Sequence, residues 1–252
     1  MDFADKTSAE QGYGPRALPP HAFKAGSVPL YDYSPAHKLI DKHRDLQYPY
    51  LCKFGSAILE IANGVFCPTL ANASRLLLDT VTFTSGERVL DIFSGSGAFG
   101  INAALAGATV VTVDISELAV SCTMKNAARN CVEDRIDARR GTMSECVVND
   151  EEFDLIIANP PLLPGDQYDA FSISIFDPDL CTTIEFIQAV ARHLTADGRC
   201  YLVTSDVIER YGYDVDRICV ESGLDSYVAA KLDVGYESYR VHHIVLSRAG
   251  VK

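Results

Sequence analysis

Three short stretches carry residue types able to hold a charged ligand and to set a nitrogen beside it. Asp91-Ile92-Phe93-Ser94-Gly95-Ser96-Gly97 places an acid ahead of a glycine loop, Asp114 stands 19 residues beyond Gly95, and Asn159-Pro160-Pro161-Leu162 follows further on. Gly95 and Gly97 can adopt backbone angles closed to other residues and carry no side chain, so a bulky ligand can approach the main chain closely. The two prolines lock φ and remove two N–H groups, leaving rigid carbonyl acceptors beside the Asn159 carboxamide. An amide, aniline-like or guanidino nitrogen has a delocalised lone pair and is a poor nucleophile. If its N–H donors bond to Asn159 Oδ1 and the Pro160 carbonyl, it is pushed toward tetrahedral geometry and its lone pair is freed. That is positioning and electrostatics, not covalent catalysis.

These residues need a scaffold that brings the three stretches together. Val89 to Phe93 is a short apolar run, as expected of a buried parallel strand whose carboxyl end opens into a crevice. Ala98 to Leu105 reads as a helix whose free N–H groups point back at that crevice. Thr109 to Asp114 is a second strand, and Phe153 to Ala158 a further one that ends at Asn159, level with the glycine loop. The rest alternates: a helix over Glu117 to Asn130, a strand over Ile136 to Arg140, and a helix over Leu180 to Leu194 stopped near Asp197-Gly198. A strand over Cys200 to Thr204 follows, then a helix over Val207 to Ser222, and Ser226 to Leu232 pairs with Val241 to Ser247. Upstream, Phe54 to Ser74 reads as a strand, a turn at Asn63-Gly64 and a loop entering a helix. The pattern predicts an α/β, doubly wound, mostly parallel sheet.

Two ligand classes compete for the glycine loop. Gly95-x-Gly97-x-x-Gly100, with Asp114 near the ~20-residue offset of a ribose-binding acid, satisfies a dinucleotide fingerprint and keeps a nicotinamide oxidoreductase in view. Asp91 argues the other way. An acid ahead of the loop repels a pyrophosphate and welcomes a cationic, amino-acid-bearing ligand.

The motif Asp91-x-Phe93-x-Gly95-x-Gly97 resembles the first motif of the class I S-adenosylmethionine-dependent methyltransferases, with Phe93 in place of the first glycine of the commoner form. Asn159-Pro160-Pro161 resembles their fourth motif, in the form found in release-factor glutamine and small-domain ribosomal RNA methyltransferases. The resemblance spans roughly Gly64 to Arg248. It implies a seven-stranded Rossmann-like sheet closed by an antiparallel last pair, and S-adenosylmethionine as the cofactor. Asp91, Phe93, Gly95, Gly97, Asp114, Ile115, Thr142, Met143 and Asn159 would border that donor, its ribose diol on Asp114. Val65-Phe66-x-Pro68-Thr69 is similar to the segment that precedes the core in those families, so Pro68 either lines the donor cleft or belongs to a plain helix-entry loop. Asn159 and Pro160 are the expected catalytic pair. Leu162 stands where an aromatic is usual; it can pack on a flat substrate but cannot stack as a π face, which lessens the case for a base.

Charge and composition bear on the acceptor. The chain has 252 residues, with 34 acids against 22 bases and a formal net charge of −12, which repels polyanions at long range and disfavours nucleic acid. Its eight cysteines are scattered without a Cys-x-x-Cys pair and read as reduced core residues, so no metal site is expected. No transmembrane run is present, and the start Met1-Asp2-Phe3-Ala4-Asp5 lacks the regions of a secretion signal, which points to the cytoplasm. Residues 1–50 form an N-terminal extension and 51–252 the methyltransferase-like domain. The extension is either a lid, whose Tyr31 and Tyr33 would touch substrate, or a solvated tail or homodimer contact. Tyr168, in the acidic and aromatic loop after the fourth motif, is a further substrate-wall candidate. The loop Asp233 to Arg240 either contacts substrate or is a solvated hairpin tip. The expected reaction is methyl transfer to an amino, amide or guanidino nitrogen of a small molecule. The alternatives are a protein glutamine, an rRNA base, the oxidoreductase above, or a non-catalytic binding partner.

Overall fold

The computed structural model describes residues 31–148 and 150–248. The chain opens with α1 (Ser34–Arg44), followed by a hairpin of β1 (Tyr50–Phe54) and β2 (Ala57–Ile61), then α2 (Asn72–Thr80). Next come β3 (Arg88–Ile92), α3 (Ala98–Leu105), β4 (Thr109–Asp114), α4 (Glu117–Arg129), β5 (Ile136–Arg140), α5 (Met143–Cys146), β6 (Phe153–Ala158) and α6 (Ala170–Ile173). The chain continues through α7 (Cys181–Val190), β7 (Leu194–Ser205), α8 (Val207–Arg210), α9 (Val215–Glu221), β8 (Leu224–Asp233) and β9 (Ser238–Leu246).

Seven strands form one sheet in the order β5-β4-β3-β6-β7-β9-β8. The first five are parallel, and β9 runs antiparallel to both β7 and β8. Apolar runs such as Val89, Leu90 and Ile92 on β3 and Leu155, Ile156 and Ile157 on β6 are buried, as central strands with both faces covered require. Chain direction across the sheet reverses between β3 and β6, and the ligand crevice of such a fold opens at the carboxyl ends of the strands flanking that point.

The hairpin β1/β2 lies outside the main sheet, and its free edge is closed by three asparagines. Asn102 Oδ1 accepts from the Ser56 N–H, Asn126 Oδ1 from the Glu60 N–H, and Asn130 binds both the N–H and the C=O of Ile58. An unpaired strand edge is thereby satisfied by side chains of α3, of α4 and of the residue that caps α4.

Several expected boundaries differ. The segment from Phe54 is the second half of a hairpin, not a lone strand, because Gly55 at φ +61° lets the chain reverse tightly. Asp197-Gly198 does not end a helix: β7 runs through it, and the helix before it stops at Val190 with a short 3₁₀ turn to His193. The expected helix from Val207 to Ser222 is two, broken around Gly212 at φ +86°.

Of the N-terminal extension, residues 1–30 lie outside the described residues, and α1 docks on the domain. His43 is buried and accepts from the Cys67 N–H at 2.9 Å through Nε2 while Nδ1 meets the Leu39 carbonyl at 2.7 Å. This clamps α1 to the segment leading into Pro68. Burial lowers the His43 pKa, consistent with a neutral ring in that bridging role. Among the described residues no helix is long and apolar enough to cross a membrane.

Candidate functional site

A cavity of about 620 Å³ opens at the carboxyl ends of β3, β4 and β6. Its size is that of an ordinary small-molecule site. Ile92 and Ala158 are register partners on β3 and β6, so the glycine loop after one strand and Asn159 after the other emerge side by side. Phe93, Gly95, Asp114, Ile115, Thr142, Met143, Pro68, Asn159, Pro160 and Leu162 all line this one cavity.

The loop is held from below. Asp91 is buried and does not line the cavity: its Oδ2 accepts from the Gly100 N–H at 2.8 Å. The carboxyl thus acts on the ligand space at one remove, through α3, and it occupies an N–H that a bound phosphate would have sought. Burial, reinforced by the charge of Asp114, pushes the Asp91 pKa up to about 7, against the pull of that bond. Gly97 likewise faces away from the cavity. It caps α3 at φ +77°, and a Cβ there would sit 2.7 Å from the Thr123 side chain. An added Cβ at Gly95 meets no protein atom within 4 Å, so that glycine leaves room on the ligand side.

Phe93 takes φ +61°, the region usually left to glycine, while its ring packs edge-on to Phe186 at 6.0 Å. Asp114 closes the loop from the next strand. Its Oδ2 accepts from the Gly95 N–H and its Oδ1 from the Ser116 N–H. Burial raises its pKa while those two bonds lower it. Ser94 Oγ is buried in the cavity wall without a hydrogen-bond partner. A spare hydroxyl, the Asp114 carboxyl and a bare glycine loop on one cavity suit a ligand that carries an ammonium, a ribose diol and a carboxylate, and S-adenosylmethionine has all three.

Asn159 donates from Nδ2 to the Ser74 hydroxyl at 3.1 Å. Ser74 is fully buried on α2, and the bond directs Asn159 Oδ1 away from α2. Pro160 is buried against the same wall. Sequence patterning offers no signal for Ser74, whose partner lies 85 residues away.

The substrate-wall tyrosines are placed differently from the expectation. Tyr168 is exposed and lies outside the cavity, near Phe176 and His37, because α6 and the loop before it turn it outward. Tyr33 also does not line it and shares a hydrogen bond with Tyr211. Tyr31 does not line it either, but it donates to Glu237, which does. The Asp233 to Arg240 loop is not wholly solvated: Tyr236, Glu237 and Tyr239 form part of the cavity wall, and Glu237 is only 4% exposed. Pro35, Ala36 and Leu39 of α1 form another part.

Comparison with known proteins agrees with this geometry. The family described as methyltransferase small domain matches residues 57–212, and the chain belongs to that family. A ribosomal protein uL3 glutamine methyltransferase of Bradyrhizobium diazoefficiens is 38% identical over 127 residues, 46% of this chain and 40% of the relative. A ribosomal RNA small subunit methyltransferase C of Pseudoalteromonas atlantica is 29% identical over 150 residues, 59% of this chain and 39% of the relative. The chain therefore spans well under half the length of these two relatives. Among solved structures, the Thermus thermophilus 16S rRNA N2 G1207 methyltransferase in complex with AdoMet and guanosine superposes with a TM-score of 0.62 at 22% identity, covering 79% of this chain and 50% of that one. At that identity the likeness is one of fold.

Proposed function

We propose that this member of the methyltransferase small-domain family transfers a methyl group from S-adenosylmethionine to a planar nitrogen carried on a macromolecule, the side-chain amide of a basic protein. The observation that carries the reading is the register of β3 and β6, which puts the Asn159 carboxamide and the glycine loop on one cavity. Asp114, Ser94, Gly95 and Phe93 would hold the donor, with Ile115, Met143 and Pro68 as apolar walls. S-adenosylmethionine supplies an electrophilic methyl on a sulfonium and needs no metal to do so.

The chain's own residues do the rest. Ser74 fixes the Asn159 amide plane. Asn159 Oδ1 and the Pro160 carbonyl accept the two N–H groups of the acceptor, hold its nitrogen off the amide plane and aim its lone pair. As the N–C bond forms the sulfonium–methyl bond breaks, S-adenosylhomocysteine leaves, and one N–H proton is released to solvent. Phe93, Pro160 and Leu162 exclude water, which strengthens these hydrogen bonds. Asp91 keeps the start of α3 in place beneath the loop.

A small-molecule acceptor, the first expectation, has no support among the relatives, whose names specify ribosomal RNA, transfer RNA or ribosomal proteins as acceptors. The cavity can take the donor and one side chain but not a folded partner, which suits an amide presented on a protruding residue. The net charge of −12 favours a basic protein over RNA among those acceptor classes. Methyl-labelled S-adenosylmethionine incubated with the chain and, separately, with total ribosomal protein, ribosomal RNA and free glutamine tests this. Label in a basic protein, mapped by mass spectrometry to a glutamine or asparagine amide, is the expected result. Label confined to RNA or to the free amino acid overturns it.

A further inference from the structure

The cavity wall also holds a carboxyl that the transfer reaction does not use. Glu237 lines the cavity and is 4% exposed, and its Oε1 is buried without a hydrogen-bond partner. Its Oε2 accepts from the Tyr239 hydroxyl at 2.8 Å and from the Tyr31 hydroxyl at 3.3 Å. A buried carboxylate oxygen left unpaired is costly, so such groups are ordinarily paired. Burial pushes the Glu237 pKa up, and Asp206 adds to that, while the Ser205, Tyr239 and Tyr31 hydroxyls act the other way. Asp206 is already paired with Arg210 at 2.6 Å, whereas the partners of Glu237 itself are neutral hydroxyls and no cation pairs with it among the described residues. Tyr236 and Tyr239 line the same cavity, and aromatic rings near a carboxylate are a favourable setting for a cation.

We propose that Glu237 is a specificity-determining residue that anchors an ammonium or guanidinium of the acceptor, a positive side chain adjacent to the nitrogen that is methylated. The inference rests on the methyltransferase reading for its substrate but not for the cation site itself. Tyr31 and Tyr239 hold Oε2, which leaves Oε1 as the carboxylate oxygen without a partner. The charge of the whole chain brings basic partners toward it, and Glu237 selects among them at short range.

The probes are Nα-acetyl-arginine amide and its neutral isostere Nα-acetyl-citrulline amide, their binding followed by ligand-detected NMR on the full chain, both alone and with S-adenosylhomocysteine. The arginine probe should bind the wild type at least tenfold more tightly than the citrulline probe, and Glu237→Gln should abolish that preference. Glu237→Asp keeps the charge but withdraws it by one methylene, and should weaken arginine binding less than Glu237→Gln does. This variant decides the matter if Glu237→Gln fails to fold. Equal binding of the two probes to the wild type, no arginine binding at all, or an arginine affinity untouched by both substitutions overturns the proposal. S-adenosylhomocysteine affinity, measured in parallel, should stay within twofold across the variants. A wild type that fails to bind S-adenosylhomocysteine overturns the donor reading, while the probe comparison on the unloaded chain still decides Glu237.

Discussion

The Asn159 side-chain amide donates to the Ser74 hydroxyl, so the proposed catalytic carboxamide is oriented by a helix 85 residues earlier in the chain. Ser74→Ala removes the acceptor of that bond and frees the amide to rotate. Turnover should fall about fivefold, the worth of one neutral hydrogen bond of ~1 kcal/mol. Calorimetry should find S-adenosylhomocysteine affinity unchanged, because the loop residues proposed to hold the donor are untouched. Asn159→Ala should cost more, roughly 100-fold, as for loss of a donor or acceptor that acts in the transition state. Turnover in Ser74→Ala equal to that of the wild type would show that Asn159 needs no such support.

Asp114→Ala removes the proposed ribose contact and leaves the Gly95 and Ser116 N–H groups without their acceptor. Donor affinity should drop at least tenfold by calorimetry, with the melting temperature lowered as well. An unchanged dissociation constant would take Asp114 out of the donor site.

Asp91 supplies a pH dependence whose sign follows from its burial. Its folded pKa, about 7, lies above the ordinary carboxyl value, so the folded state holds a proton that the unfolded chain releases. Stability from this group is fully present below pH ~4 and is lost as pH rises through about 7. Chemical denaturation across pH 5 to 8 should show the wild type losing stability relative to Asp91→Asn as pH increases. A pH-independent difference between the two would mean that Asp91 is ionised throughout.

Gly97→Ala should destabilise the fold by about 1–3 kcal/mol, because the residue combines a left-handed backbone with a contact to Thr123 that leaves no room for a methyl group. Thermal unfolding checks this. Gly97→Ala in a Thr123→Ser background should recover only a fraction of the steric cost, since the serine lacks the Cγ2 that lies 2.7 Å from the added carbon but keeps the hydroxyl oxygen at 2.9 Å.

Much of this molecule can be read from local pattern. The helix Ala98–Leu105 and the strands Thr109–Asp114 and Ile136–Arg140 agree with their expected bounds, since each is a single periodic run between turn residues. Asp197-Gly198 misleads because its glycine serves close approach: a Cβ on Gly198 would lie 2.8 Å from the Phe153 carbonyl oxygen, so the residue lets β7 pass β6 and does not mark a stop. Gly212 inside an apparently continuous helical pattern conceals the break between α8 and α9 for the converse reason, its left-handed φ being invisible in spacing. The site divides in the same way. Asp91, the glycine loop and Asn159 lie within recognisable motifs, whereas Glu237 sits in a loop that local pattern leaves open between a substrate contact and a solvated hairpin tip. One of its hydroxyl partners, Tyr31, is 206 residues away, and no local window contains that pairing.

The adjacency of β3 and β6 has a consequence for how such a protein can diversify. Neighbouring strands of a sheet stand ~4.8 Å apart whatever their side chains, so the spacing between donor cradle and carboxamide is built into the backbone and survives drift elsewhere. In the reading proposed above, recognition of the partner would fall to α1 and the tip between β8 and β9, pieces attached at the rim that also line the cavity. Exchanging those rim pieces would redirect the chemistry to a new client without retuning its centre.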